Sequence, residues 1–142
     1  MFCQNDPLWK DKSLNNSKET IGGVGCLLTS LSNISNLANS KTITPIDLNR
    51  ELILYNGYTN DNLIIWSIAE KVLDLKIIHY YTGDIEYTLN DFYIVNYINY
   101  GYGHFTNLIS KKGGEYNVFD VWDNHYRTKT DIRRVIKVCK KS

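Results

Sequence analysis

The hydrophobic period of the chain changes near residue 74, and that change restricts the available folds more than any other feature. From Cys26 to about Asn39 the apolar positions are Leu27, Leu28, Leu31, Ile34, Leu37 and Ala38. They recur every three or four residues, which marks one apolar helical face, with Ser, Thr and Asn on the other. After Leu73 the pattern turns short, β-branched and aromatic: "LKIIHYY", "DFYIVNYIN", then "GHFTNLISKK" and "EYNVFDVW" joined by Gly113-Gly114, and finally "RRVIKVCK". These read as strands, the middle two as a hairpin and the last as a closing strand. Helices first and antiparallel strands second is the order of an α+β domain.

Two further helices are expected in the first half. In "TPIDLNRELILYNGY", Thr44 suits an N-cap, Pro45 the first helical position, and Asp47 the positive helix end. Gly57 is the expected stop. A third helix is expected from Asp61 to about Leu73, capped by Asp61 or Asn60. Residues 5–25 read as a long ordered loop anchored by "DPLW". The 142 residues show no repeat or linker and read as a single domain, 1–142. Such a chain buries about two-thirds of its unfolded surface.

Composition excludes several function classes. Net charge is +1, and the basic residues are scattered apart from a mild C-terminal excess (Arg127, Lys129, Arg133, Arg134, Lys137, Lys140, Lys141). That excess reads as a solvated end or a charged edge strand. Without interleaved aromatics it does not suggest a nucleic-acid partner. No apolar run approaches the ~20 residues of a membrane span. The start "MFCQNDPLWKDK" lacks the pattern of a signal peptide, so the expectation is a protein cytoplasmic as synthesised. The three cysteines, Cys3, Cys26 and Cys139, form no CxxC pair, and His79, His104 and His125 show no helical ligand spacing. No metal and no other cofactor is expected, and the thiols are read as reduced.

One cysteine stands apart. In "TIGGVGCLLTSL", glycines 22, 23 and 25 lead directly into Cys26 at the joint of loop and helix. A helix N-terminus stabilises a thiolate through unpaired N–H groups and the helix dipole. Two readings of this stretch stay open: a nucleophile, or a small buried residue at a helix start. A nucleophile needs a base, and His104 is the best placed, at the start of an expected central strand. If "EYNVFDVWDN" pairs with that strand, Asp120 or Asp123 comes near His104 and can hold the imidazole tautomer. His125 is a weaker rival base, because its segment reads as a polar turn.

The segments "QNDPLW", "TIGGVGCLLTSL", "TPIDLNRELILYNGY", "GHFTNLI" and "YNVFDVW" follow one another in the order and spacing of a known family. The chain resembles, over almost its whole length, the C39-like branch of papain-like cysteine peptidases. The resemblance implies a papain-like fold, with the nucleophile helix in a helical half packed on an antiparallel sheet. It implies Cys26 as nucleophile, His104 as general base and Asp120 as the acid that orients the imidazole. It implies Gln4, with the Cys26 backbone N–H, as the oxyanion hole. Val121 departs from the family's usual proline after this aspartate, which keeps Asp123 a rival orienter.

The activity implied is amide-bond hydrolysis through an acyl-enzyme, by a monomer. The substrate expected is a peptide or a peptidoglycan stem peptide, as for a phage-type lysin released to the cell wall. Leader-peptide processing, an inactive binding module and acyl transfer are the alternatives. Trp9, Tyr100, Tyr102 and Trp122 are expected to line the substrate groove, with plain core packing as the alternative for each ring.

Overall fold

The structure, a computed structural model, describes residues 1–141. Four helices come first: α1 (Ile21–Val24), α2 (Cys26–Asn39), α3 (Pro45–Leu54) and α4 (Trp66–Leu73). Six strands follow: β1 (Leu75–Tyr80), β2 (Phe92–Asn99), β3 (Tyr102–Lys112), β4 (Glu115–Asp120), β5 (His125–Lys129) and β6 (Arg134–Lys140). They form one antiparallel sheet in the order β1-β6-β2-β3-β4-β5. The fold is therefore α+β. No helix among the described residues is long and apolar enough to cross a membrane.

The expected helix starts hold in two of three cases. Thr44 caps α3 through a reciprocal capping box with Asp47, and Pro45 is its first residue. The helix ends at Leu54, and Gly57 closes the turn by donating its N–H to Leu52 O at 2.6 Å. The third expected helix begins five residues late, at Trp66. Residues before it are bound into a turn: Thr59 N–H donates to Leu63 O (2.8 Å) and Ile65 N–H to Gly57 O (2.7 Å), with Tyr58 bridging Ile64. The Thr59 hydroxyl accepts the N–H groups of Asp61 and Leu63, so neither Asp61 nor Asn60 caps a helix.

Two readings of the C-terminal third need correction. The charged-edge reading holds for Arg127 and Lys129 on β5, but β6 is an interior strand between β1 and β2, with Val135, Ile136 and Val138 almost fully buried. The segment from His125 is an edge strand and not a polar turn. It pairs with β4 from Asp120↔His125 to Tyr116↔Lys129. A strand at the sheet edge has no need of a continuous apolar face, so "HYRTK" carries little period-2 signal.

The helices bury Leu28, Leu31, Ile34, Leu48 and Leu52 against Ile94, Ile136 and Val138 of the sheet. A second cluster, around Val95, Tyr97, Val118 and Val135, is separate from it. α2 lies deep enough that its polar residues Thr29, Ser30, Ser32, Asn33 and Ser35 are buried as well. Ser30 and Asn33 are used against β3, while the Ser32 hydroxyl donates to Ile43 O. The Ser30 hydroxyl donates to Phe105 O at 3.4 Å, Asn107 donates to Ser30 O at 3.0 Å, and Asn33 donates to Asn107 Oδ1 at 2.8 Å. Buried polar groups need such partners. These bonds hold the helix that begins with Cys26 in register with the strand that carries His104.

Candidate active site

Cys26 is the first residue of α2, directly after its N-cap Gly25. The approach is tight. A Cβ on Gly25 would stand 2.4 Å from Ile21 O, and one on Gly22 would meet Asn5 Oδ1 and Lys10 O at 2.8 Å. Those two positions require glycine because neighbouring backbone occupies the space. Gly23 and Val24 border the cavity above the sulfur. The Cys26 N–H lies in the first turn, where no carbonyl of its own helix can reach it.

His104 is the third residue of β3, opposite Tyr97 on β2. Its Nε2–H donates to Asp120 Oδ1 at 2.8 Å, and both side chains are buried. This engagement leaves Nδ1 as the nitrogen available to Cys26. Asp120 is the last residue of β4, and the hairpin across Gly113 and Gly114 brings it beside β3. The same Oδ1 accepts the Trp122 backbone N–H at 3.0 Å. Its Oδ2 faces Arg127 Nε at 3.3 Å. Asp123 is occupied elsewhere: it pairs with Arg127 Nη2 and with His125 Nδ1 at 3.3 Å. Of the two carboxylates, Asp120 is the one on His104.

The charges of the pair support each other. Burial alone would push His104 down, but its hydrogen bonds with Asp120 and the neighbouring Cys26 outweigh that and raise it to about 9. Burial alone would likewise push Asp120 up. The His104 hydrogen bond, the Trp122 N–H and the positive charges of His104 and Arg127 hold it below the ordinary carboxylate value.

Gln4 reaches the site from the N-terminal loop. Its backbone N–H donates to Val121 O at 2.7 Å, and Asn5 Nδ2 donates to Trp122 O at 2.8 Å, so the loop is laced to the end of β4. The buried Gln4 amide donates one Nε2–H to Gly22 O at 3.1 Å. Its second N–H remains for the cavity, which Gln4 lines.

Cys26, His104, Asp120 and Gln4 thus converge on one cavity of about 730 Å³. Tyr100 and Tyr102, at the β2–β3 turn, and Trp122, after β4, form an exposed aromatic rim on it. Trp9 does not. It is 4% exposed, stacks edge-on against Phe2 at 5.5 Å, and donates its indole N–H to Cys3 O at 2.8 Å. It anchors the loop that carries Gln4, so the expectation that it lines the groove is corrected. Arg127 and Lys129 on β5 also line the cavity and were missed. Alternation from His125 along a recognised strand would have placed 125, 127 and 129 on one face.

No protein-family model matches the chain, and no curated protein sequence matches it. Chemically, a thiol beside an imidazole whose other nitrogen is held by a carboxylate can be deprotonated and attack an electrophilic carbon. Among the described residues no group of three or more His, Cys, Asp and Glu side chains is placed to hold a metal ion.

Proposed function

We propose that this protein is a papain-like cysteine hydrolase that cleaves amide bonds through a Cys26 acyl-enzyme, and that its substrate is the stem peptide of peptidoglycan. The observation that carries the reading is the His104–Asp120 hydrogen bond at 2.8 Å in a cavity shared with Cys26. A helical half bearing the thiol and an antiparallel sheet bearing the other two groups supports the fold assignment.

In the proposed reaction the Cys26 proton has already passed to His104 Nδ1 when Cys26 Sγ attacks the scissile carbonyl carbon. The oxyanion receives hydrogen bonds from the Cys26 N–H and the second Gln4 Nε2–H. The C–N bond then breaks, and His104 gives its proton to the departing amine. Water next attacks the thioester, loses a proton to His104, and releases the acid as that proton returns to the sulfur. Asp120 keeps the ring oriented and stabilises the imidazolium.

The wall-substrate part of the reading rests on the rim. Tyr100 and Tyr102 are 94% and 79% exposed, and Trp122 is 46% exposed. Flat rings in water around a reactive thiol suit a short peptide attached to a sugar. The test is incubation of purified protein with peptidoglycan sacculi and with a small peptide library. New free amines from sacculi, absent with Cys26→Ala, are expected. Cleavage of peptides alone would replace the wall substrate with a processing role. No product from either, with Cys26 still readily alkylated, would point to acyl transfer.

A further inference from the structure

Lys129 is the charged group in the cavity that the catalytic arrangement leaves without a counter-charge. Asp120 is matched by His104 and Arg127, and Asp123 by Arg127 and His125. Among the described residues no carboxylate pairs with Lys129. Its position is nevertheless defined. Nζ lies over the Tyr97 ring, 4.7 Å from the centroid, and the other side of the relationship is Tyr97 against His104, with centroids 5.7 Å apart. Tyr97 is buried, so it is a fixed platform. One ring therefore separates a held ammonium from the imidazole. A cation–π contact steers an ammonium without neutralising it.

We propose that Lys129 is a specificity residue that receives a carboxylate of the substrate. Resting on the hydrolase reading above, this makes the preferred substrate an acidic peptide. The two ring distances place the carboxylate within about three residues of the scissile bond, at ~3.5 Å per extended residue. A neutral or basic peptide would leave Lys129 partly desolvated and unpaired, which lowers its affinity.

Paired alkylating reagents test this without a known substrate. Iodoacetate carries a carboxylate and iodoacetamide does not, while both transfer the same carbon to Cys26 with loss of iodide. The ratio of their rates at Cys26, read by peptide mass spectrometry at low salt, reports the cation. Lys129→Gln is expected to lower that ratio roughly twofold, the effect of one charge ~10 Å away in a mainly aqueous dielectric. Lys129→Arg is expected to retain it, and taking the ratio cancels any effect of the charge on the thiol itself. An unchanged ratio in Lys129→Gln, with an unchanged melting temperature, overturns the proposal. The absolute iodoacetamide rate at Cys26 tests the nucleophile assignment separately, so the two failures are distinguishable. Protection of Cys26 by acetyl-Ala-Glu-Ala amide, lost in Lys129→Gln, would identify a side-chain carboxylate. Protection by acetyl-Ala-Ala-Ala acid alone would identify a chain terminus.

Discussion

His104 Nε2 and Asp120 Oδ1 lie 2.8 Å apart, on neighbouring strands whose side chains are both buried. The bond makes the ring a stable imidazolium, and the activity profile should reflect it. His104 is raised to about 9, so the alkaline limb of kcat/KM should fall near that pH as the proton needed by the leaving amine is lost. Asp120→Asn should move this limb to lower pH and cut kcat by as much as about ten-thousandfold. Asp123→Asn, whose carboxylate pairs with Arg127 and His125 and not with His104, should leave the limb in place. A crippling Asp123→Asn beside a silent Asp120→Asn would reverse the assignment.

Stability should follow the same pair. The folded value of His104 is above its ordinary 6.5, so its contribution is fully present below that pH and is lost as pH rises through about 9. Asp120 is depressed, so its contribution is present above the ordinary 3.8 and is lost as pH falls through the folded value. Melting temperature should therefore be highest between these windows and drop on both sides. His104→Gln should flatten the alkaline drop, and thermal melts of the two proteins from pH 4 to pH 10 would measure it.

The three thiols should separate by rate. Burial pushes both Cys3 and Cys139 up, with Asp91 adding to the effect at Cys139. Cys26 instead begins a helix and faces an imidazolium. At mildly acidic pH, iodoacetamide should label Cys26 well ahead of the other two. Equal labelling of Cys26 and Cys139 would remove Cys26 as nucleophile.

Removing Gln4 should cost rate more than fold. In the proposed reaction Gln4→Ala deletes one donor to the developing oxyanion, worth about a hundredfold to a thousandfold in kcat. The side chain makes one hydrogen bond, to Gly22 O, so the melting temperature should fall only modestly. A variant with full kcat would place the oxyanion elsewhere.

Leu31→Ala should behave in the opposite way. Leu31 is fully buried between the helices and the sheet, and its loss should cost about 2–5 kcal/mol by chemical denaturation. Cys26 is five residues earlier on the same helix, so residual activity per folded molecule should stay near that of the parent.

Period and local chemistry alone determined much of this protein. The apolar stripe from Leu27 to Ala38, the N-cap Thr44 with Asp47 in the first turn, and the hairpin at Gly113 and Gly114 are short-range signals, and each appears where expected. Cys26 at a glycine-led helix start was visible for the same reason. Only tertiary structure decided the rest, because it depends on contacts distant in sequence. β5 is polar and gains its identity from pairing with β4, so the cavity positions of Arg127 and Lys129 were hidden. The choice of Asp120 over Asp123 depended on how Arg127 and His125 draw Asp123 away. Trp9 could have lined a groove or filled a core. Packing against Phe2 and a bond to Cys3 O put it in the core. Buried polar residues on α2 were equally invisible, since a serine or asparagine on a helix reads as solvated until a strand such as β3 arrives to accept and donate its hydrogen bonds.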